Sequence, residues 1–212
     1  TLATTVSTPK GSVGTIEHLL AAVSGAGIDD LNLWVRGGEV PILDGTAGAW
    51  APFLDPADST PLAAALSLDL QEIVEIVDGD SSIRAEPWPR LTIRVDVDFP
   101  SLGAFTFEED AVRWLEAGSA RTFGFMSQAE ILRARGLARG AKLDNTLVFE
   151  DDGSVLNDGG LRTEDEIARH KWIDCLGDLA LLGRRLNARV TAVRAGHRLH
   201  HALVRRLKDY VA

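Results

Sequence analysis

The sequence predicts an α+β fold, because segments with helical periodicity alternate along the chain with short strands and turns. Three observations support this class. Glu164 to Leu182 has the longest helical pattern, Leu91 to Phe99 alternates apolar and polar residues as a strand does, and Asp78-Gly79-Asp80 is a hairpin turn signal. We therefore expect helices and antiparallel hairpins to be interleaved.

The first part of the chain is predicted to contain helical and extended segments before a linker. Thr15 to Val23 has apolar side chains at helical spacing, and glycines follow it. Leu31 to Val35 predicts a short strand, and Ala49 to Leu54 predicts the start of another helix. Asp55 to Pro61 contains two prolines and small polar residues, which disfavour both helix and sheet, so it predicts a linker.

The remaining part of the chain is predicted to contain two hairpins and further helices. One hairpin joins Leu68 to Val77 with Ser82 to Ala85, and a second is expected around Asp151-Asp152-Gly153, after Asn145 to Glu150. Further helices are predicted at Glu108 to Ala117, Ser127 to Ala134 and Arg198 to Val211.

Composition and charge restrict the classes of partner. The 212 residues are 45% hydrophobic and 25% charged, with a formal net charge of -9, which argues against binding nucleic acid or anionic lipid by bulk electrostatics. The single cysteine, Cys175, excludes an internal disulfide and is interpreted as a buried core residue. No apolar run has the length of a membrane span and no secretory leader opens the chain, so we expect a cytoplasmic protein.

Two ionisable clusters far apart in the sequence indicate a divided zinc site. The first contains Glu17 and His18, and the second places His170, Asp174 and Asp178 at steps of four residues, on one face of a helix. A hydrolytic zinc site commonly has three protein ligands of nitrogen or oxygen type and leaves one position for water. His18, His170 and Asp174 match that requirement, and Glu17 could then act as general base.

Each motif also has an ordinary structural interpretation. A Glu-His dipeptide is common, and a His-x-x-x-Asp pair usually forms a hydrogen bond on a helix surface. Spacing in the sequence does not by itself show that the two clusters meet.

Five segments with distinctive motifs occur in order along nearly the whole chain. They are Thr15 to Leu20, Glu39 to Ala47, Arg121 to Met126, Leu143 to Val148, and Val155 to Leu182. In the same order they contain Thr-Ile-Glu-His-Leu-Leu, Glu-Val-Pro-Ile-Leu-Asp-Gly-Thr-Ala, Arg-Thr-Phe-Gly-Phe-Met, Leu-Asp-Asn-Thr-Leu-Val, and an Arg-His-Lys-x-x-Asp sequence. Together these motifs resemble the UDP-3-O-acyl-N-acetylglucosamine deacetylase family, LpxC.

The resemblance implies a two-domain sandwich in which helices are packed between two mainly antiparallel sheets. The first domain would cover residues 1–58, a linker 59–65, and the second domain 66–212, with an insert near 141–161 that walls a passage for an acyl chain. Compared with the family, the chain begins near the strand before Glu17, so it is expected to lack the opening part of the first domain. A monomer is expected.

The resemblance also implies an activity, hydrolysis of the acetamide of an acylated UDP-amino sugar. The products would be acetate and a free amine, in the route to lipid A. Zn2+ would be held by His18, His170 and Asp174, and Glu17 would be the base.

The remaining site residues follow from the same resemblance. Thr122 would donate a hydrogen bond to the developing oxyanion, and His197, oriented by Asp178, would be a protonated second catalytic residue. Lys171 would contact the substrate near its diphosphate, since an acidic protein needs a local cation for that ligand. Two aromatic residues, Phe99 and Phe123, would stack on the uracil and pack against the sugar.

Several of these residues have competing interpretations. Thr122 could be a helix cap, Phe99 a core residue, and His197 a solvated residue at a helix start. We interpret His200 and His201 as surface residues. A basic stretch, consisting of Arg133, Arg135, Arg139 and Lys142, could face phosphate or form a solvated helix face.

Two other functions stay open on the sequence alone. The chain could be a non-catalytic module that binds a UDP-sugar, or a zinc amidohydrolase that acts on a different acylated sugar.

Overall fold

The computed structural model describes residues 3–54, 60, 63–134 and 140–211, and for Glu130, Leu132 and Arg133 it describes the backbone alone. The strands are β1 (Thr5–Thr8), β2 (Gly11–Gly14), β3 (Ser67–Asp69), β4 (Val74–Asp78), β5 (Ser81–Pro87), β6 (Thr92–Phe99), β7 (Gly103–Asp110), β8 (Phe123–Phe125), β9 (Leu147–Phe149) and β10 (Arg185–Val193). The helices are α1 (Glu17–Gly25), α2 (Leu115–Gly118), α3 (Met126–Ala134), α4 (Glu166–Leu179) and α5 (His197–Lys208). These mixed helices and mainly antiparallel sheets confirm the predicted α+β class.

Helices α4 and α5 pack against a six-stranded sheet. Five strands follow the order β4-β5-β10-β6-β7, and β3 pairs in parallel with the first residues of β10. The β10–β6 pair is also parallel, whereas the β4–β5, β5–β10 and β6–β7 pairs are antiparallel. Two smaller pairs lie outside this sheet, the antiparallel hairpin β1–β2 and the parallel pair β8–β9.

The longest helix, α4, lies on this sheet and forms the centre of the core. Trp172, which is 0% exposed, donates from its indole nitrogen to the backbone oxygen of Ile93 on β6 at 2.9 Å. Its ring also meets Phe107 of β7 edge to face, at a centroid distance of 6.0 Å. Helices α1 and α5 both pack against α4, so it is buried on almost all sides. The residues of α4 near its middle are therefore enclosed between elements from distant parts of the sequence.

Strand β10 was not among the predicted elements, although its pattern is regular. Leu186, Ala188, Val190 and Ala192 are buried and alternate with less buried residues. Successive side chains on a strand point to opposite faces, so this alternation places one face of β10 in the core. The small alanine side chains weaken the hydrophobic signal of the sequence, whereas the position of the strand inside the sheet gives it partners on both sides.

Two predicted elements were wrong. Glu108 to Ala117 was predicted to be a helix, but β7 continues to Asp110, because its pairing with β6 extends to the Thr92–Asp110 pair. A 3-10 turn and the short helix α2 follow it. Leu31 to Val35 was predicted to be a strand, but it has no regular structure, and Trp34 is 94% exposed. No strand among the described residues pairs with that segment.

The predicted hairpins have different outcomes. The β4–β5 hairpin is confirmed, with Gly79 at a φ of 58° in its turn. Around Asp152 the chain does turn, but only one antiparallel bridge forms, between Phe149 and Val155, and β9 pairs mainly with β8 in parallel. The predicted linker 59–65 lies largely outside the described residues, and the division into domains stays a prediction.

The helices also bear on the membrane question. In the described parts of the chain, no helix is both long and apolar enough to cross a membrane.

Candidate metal and catalytic site

The two ionisable clusters meet where α1 crosses α4. His18 lies in the first turn of α1, and His170 and Asp174 lie one turn apart on α4. All three residues are at most 5% exposed. The Nε2 atoms of His18 and His170 lie 3.7 Å and 3.5 Å from the same oxygen, Oδ1 of Asp174. These distances are too long for hydrogen bonds, so three potential ligand atoms converge without bonding to one another.

A glycine on α4 allows this close approach. A β-carbon at Gly177 would overlap the backbone carbonyl of Glu17, at the start of α1. Gly177 lies about one turn beyond Asp174, so this close contact between the two helices is next to the three converging side chains. The separation of His18 from the α4 residues therefore depends on the absence of a side chain at this position.

The protonation states fit metal ligands. Burial, together with the charges of His18 and Lys171, lowers the pKa of His170 to about 3, so its imidazole is neutral near neutral pH. Burial alone would raise the pKa of Asp174, but Lys171 and His170 hold it well below its usual range. Lys171 donates from Nζ to Oδ2 of Asp174 at 2.8 Å, which leaves Oδ1 facing the histidines.

The arrangement passes a geometric test for a metal ion. His18, His170 and Asp174 each offer one ligand atom, and these atoms all lie within 4.8 Å of one another. In a tetrahedral zinc site with bonds of about 2.0–2.1 Å, neighbouring ligand atoms are about 3.4 Å apart. Neutral imidazole and carboxylate are ligand types that zinc accepts. The residues present therefore fit a single divalent cation of this class.

The predicted base, Glu17, is buried beside this cluster. The residue is 4% exposed, and its Oε2 accepts a hydrogen bond from the backbone nitrogen of Thr4 at 3.0 Å. Burial and the nearby charge of Asp174 raise the pKa of its carboxyl. A carboxylate with a raised pKa is a stronger proton acceptor than an ordinary one, which suits general base chemistry.

A second polar cluster, which we call the Asp178 cluster, consists of Thr4, Asp178, His197, His200 and His201. His197 begins α5 but is only 6% exposed, so it is not a solvated helix-start residue. Its Nδ1 lies 2.7 Å from Oδ2 of Asp178. Burial would lower the pKa of His197, but the hydrogen bond and charge of Asp178 and the charge of Asp174 raise it. The structure thus pairs these two predicted residues.

The interpretation of His200 and His201 as surface residues was wrong. His200 is 1% exposed, with Nδ1 at 2.8 Å from Oδ2 of Asp178. The side chain of His201 is 24% exposed, with Nε2 at 3.3 Å from Oδ1 of the same carboxylate. Because α5 packs on α4, its buried face carries all three histidines toward Asp178.

Among the other predicted residues, Phe123 contacts His170, and Phe99 and Lys171 contact Phe123. Phe123 meets the His170 ring at a centroid distance of 5.7 Å, and Phe99 meets Phe123 at 5.5 Å, so both aromatic residues lie at one edge of the cluster. Lys171 has its Nζ 5.3 Å from the centre of the Phe123 ring. Thr122 precedes a strand, β8, and not a helix, so the helix-cap interpretation was wrong.

The position of Thr122 depends on a buried ion pair that the sequence analysis missed. Arg121, the preceding residue, is 6% exposed, and Glu166 at the start of α4 is 1% exposed. Glu166 accepts hydrogen bonds from the backbone nitrogen, Nε and Nη2 of Arg121 at 2.9–3.0 Å. Thr122 is held further by backbone hydrogen bonds to Gly45 and Leu147, each of 2.8 Å. A long charged side chain usually indicates a surface position, so composition alone did not reveal this buried ion pair.

A shallow cavity of about 200 Å³ opens beside His197 and is lined by Ser81, Arg194, Gly196 and Arg198 among others. Arg194 has a φ of 46°, which is uncommon for a residue with a side chain. The guanidinium groups of Arg194 and Arg198 pair with the carboxylates of Asp98 and Asp78. Of the predicted basic stretch, Arg135 and Arg139 fall outside the described residues, and only the backbone of Arg133 is described.

The fold and the two clusters define an α+β protein whose buried site can hold a metal ion beside a carboxylate and a carboxylate-paired histidine. The family model described as LpxC, UDP-3-O-acyl N-acetylglycosamine deacetylase, matches residues 1–209. The chain belongs to this family.

Similar proteins include three that are named UDP-3-O-acyl-N-acetylglucosamine deacetylase. One from Myxococcus xanthus is 40% identical, with 97% of this chain and 67% of the relative covered. One from Syntrophotalea carbinolica is 38% identical, with 97% and 68% covered. One from Brucella ovis is 40% identical, with 97% and 74% covered. These relatives are thus longer than the present chain.

Proposed function

We propose that this chain is a zinc-dependent deacetylase that hydrolyses the acetamide of UDP-3-O-acyl-N-acetylglucosamine, giving acetate and the free amine. The convergence of His18 with His170 and Asp174 carries this proposal. His18 lies on a helix distant in sequence from the helix of the other two, and the three side chains form no hydrogen bonds to one another. Family membership and the names of the relatives support the substrate class.

Zn2+ held by these three residues would supply Lewis-acid activation of water and of the amide carbonyl. Glu17 would accept the proton of the attacking water as the oxygen bonds to the carbonyl carbon. Oε2 of Glu17 is already bonded to Thr4, so Oε1 would be the accepting atom. The Thr122 hydroxyl would donate to the carbonyl oxygen, on which negative charge develops.

The C–N bond then breaks, and the nitrogen of the sugar needs a proton to leave as an amine. His197 would give that proton from Nε2, because its Nδ1 is occupied by Asp178. The raised pKa of His197 supports this role, since the residue must be protonated when the amine departs. The acyl group leaves with the hydroxyl of the attacking water as acetic acid, which loses its proton to give acetate. The proton held by Glu17 would return through solvent to His197, which restores both residues.

The test of this function uses metal removal on the purified chain. We expect about one zinc per chain and acetate release from the UDP-substrate, with both lost on chelation and restored by added zinc. Turnover that survives full chelation would contradict zinc dependence. Substrate binding without acetate release at saturating zinc would favour the non-catalytic UDP-sugar-binding module instead. Release from nucleotide-free acylated glucosamines but not from the UDP-substrate would favour a different acylated sugar.

A substitution at Lys171 tests the diphosphate contact. Lys171→Met keeps the apolar stem beside Phe123 but removes the charge, so we expect KM for the UDP-substrate to rise about tenfold. KM for a nucleotide-free acylated glucosamine should stay the same, because that substrate has no diphosphate. Lys208→Met, at the exposed end of α5, is the control.

Because Lys171 also bonds Asp174, zinc content is measured in parallel to separate lost metal from lost substrate contact. An equal rise in KM for both substrates would contradict the diphosphate assignment.

A further inference from the structure

The buried carboxylate of Asp178 has its hydrogen-bonding capacity filled by four side chains. Oδ2 lies 2.7 Å and 2.8 Å from the Nδ1 atoms of His197 and His200. Oδ1 accepts from the Thr4 hydroxyl at 2.5 Å and lies 3.3 Å from Nε2 of His201. An ionised carboxylate offers about four lone-pair sites and donates nothing, so every partner must be a donor.

This requirement determines the tautomers of the histidines. His197 and His200 must each carry hydrogen on Nδ1, because an ionised carboxylate can only accept. Burial alone would raise the pKa of Asp178, but hydrogen bonds from the three histidines hold it well below its usual range. The carboxylate is therefore an anion, and Nε2 is the nitrogen of His197 left for chemistry.

Of the three histidines, His200 is the most enclosed. It is 1% exposed, and burial lowers its pKa, so it is a neutral donor near neutral pH. A neutral donor orients the carboxylate without cancelling its charge. The negative charge of Asp178 can then stabilise the positive charge of protonated His197.

We propose that His200 is a positioning residue which, with Thr4 and His201, orients Asp178 and so keeps His197 in the form that has hydrogen on Nδ1 and a free Nε2. This inference rests on the proposed function, since it assigns His200 a role in the acid step. His200 acts through Asp178 and does not touch the reacting atoms.

The same atoms could be interpreted as a second metal site, because Asp178, His197 and His200 offer ligand atoms close to one another. The distances argue against it. Both Nδ1 atoms lie within hydrogen-bond length of one oxygen, whereas ligand atoms that share a tetrahedral zinc ion are about 3.4 Å apart. The cluster is therefore a hydrogen-bonded unit.

Two variants of His200 test the proposal. His200→Leu removes the donor to Asp178, and His200→Asn restores an N–H near the position of Nδ1. We expect His200→Leu to lower kcat about tenfold with zinc content and KM unchanged, and His200→Asn to recover most of the loss. A merely structural role would not be rescued by an amide that fills less volume than leucine.

Nitrogen-15 NMR of the histidine rings gives a readout independent of turnover. In the wild-type chain, we expect His197 to show the Nδ1–H tautomer when neutral, and in His200→Leu a mixture of both tautomers. The wild-type spectrum keeps the test decisive even if His200→Leu does not fold. A wild-type His197 with hydrogen on Nε2 alone, or a folded His200→Leu with unchanged kcat and ring shifts, would overturn the proposal.

Failure of the proposed function has a different signature. In that case the wild-type chain releases no acetate, while the tautomers of His197 and His200 are still those that Asp178 imposes.

Discussion

Gly177→Ala is expected to open the helix crossing at the metal site and to lower turnover about a hundredfold. The added β-carbon would overlap the backbone carbonyl of Glu17, and a backbone atom cannot move aside as a flexible side chain can. Helix α1 must then shift away from α4, which separates His18 from His170 and Asp174. We expect zinc affinity to fall together with kcat.

The sign of the stability change separates this effect from helix propensity. Alanine is favoured over glycine inside a helix by about 1 kcal/mol, whereas overpacking of a tight core costs about 1–3 kcal/mol. Because the contact is with backbone, we expect overpacking to win, with a net loss in the free energy of unfolding of up to about 2 kcal/mol. Urea unfolding measures the free energy of unfolding, zinc titration measures the metal affinity, and acetate release measures turnover.

Gly38→Ala is the matched control for Gly177→Ala. Gly38 is exposed, and a β-carbon there would have only the Ser12 carbonyl oxygen as a neighbour, at 3.9 Å. We expect near wild-type zinc binding and turnover in this control. If Gly177→Ala instead gained stability and kept full zinc and activity, the role of the glycine contact would be refuted.

Removal of the base or the acid is expected to lower kcat by about 10²–10⁴ in each case. Glu17→Gln keeps the shape of the side chain and an oxygen for the Thr4 hydrogen bond, but loses the basic carboxylate. His197→Gln loses the proton that the leaving amine needs. Both variants should keep zinc, because neither residue is among the proposed ligands.

The pH dependence distinguishes the acid from a residue that only packs. His197 must be protonated to act, so activity falls as pH rises through its pKa, and the raised pKa moves this fall to higher pH than for an ordinary histidine. His197→Gln should therefore remove the alkaline fall from the profile of the residual activity.

Glu116→Gln is the control for loss of a surface carboxylate, since Glu116 is exposed and pairs with Arg113. It should leave rate and profile unchanged. An alkaline fall that persists in His197→Gln would exclude His197 as the acid.

How much of the fold could be predicted depended on whether the deciding interactions were local. Helix α4 was predicted because its apolar residues recur at helical spacing over several turns. The segment at Glu108 was assigned to a helix, but pairing with β6 extends β7 through it. Strand pairing joins residues that are distant along the chain, so a window of neighbouring residues does not contain that information.

The candidate site also contains both residues that the sequence predicted and residues that it did not. Motif order and the resemblance pointed to His18, His170 and Asp174, and helical spacing placed the latter two on one face. Thr4 had no signal in the sequence, yet it is 1% exposed and hydrogen-bonds both Glu17 and Asp178, so it links the metal cluster to the Asp178 cluster. The burial of His200 on α5 was also missed, because a row of polar histidines resembles a solvated face.

Helical periodicity was enough to place His170, Asp174 and Asp178 on one face of a helix, because a period of 3.6 residues is a local property of the backbone. The packing of the helices, in contrast, brings His18 to these residues and lets His197 and His200 share one carboxylate. Those contacts depend on how closely α1 and α5 approach α4, which packing at positions such as Gly177 sets. Packing depends on the shapes of surfaces brought together from distant segments, and no local pattern encodes those shapes.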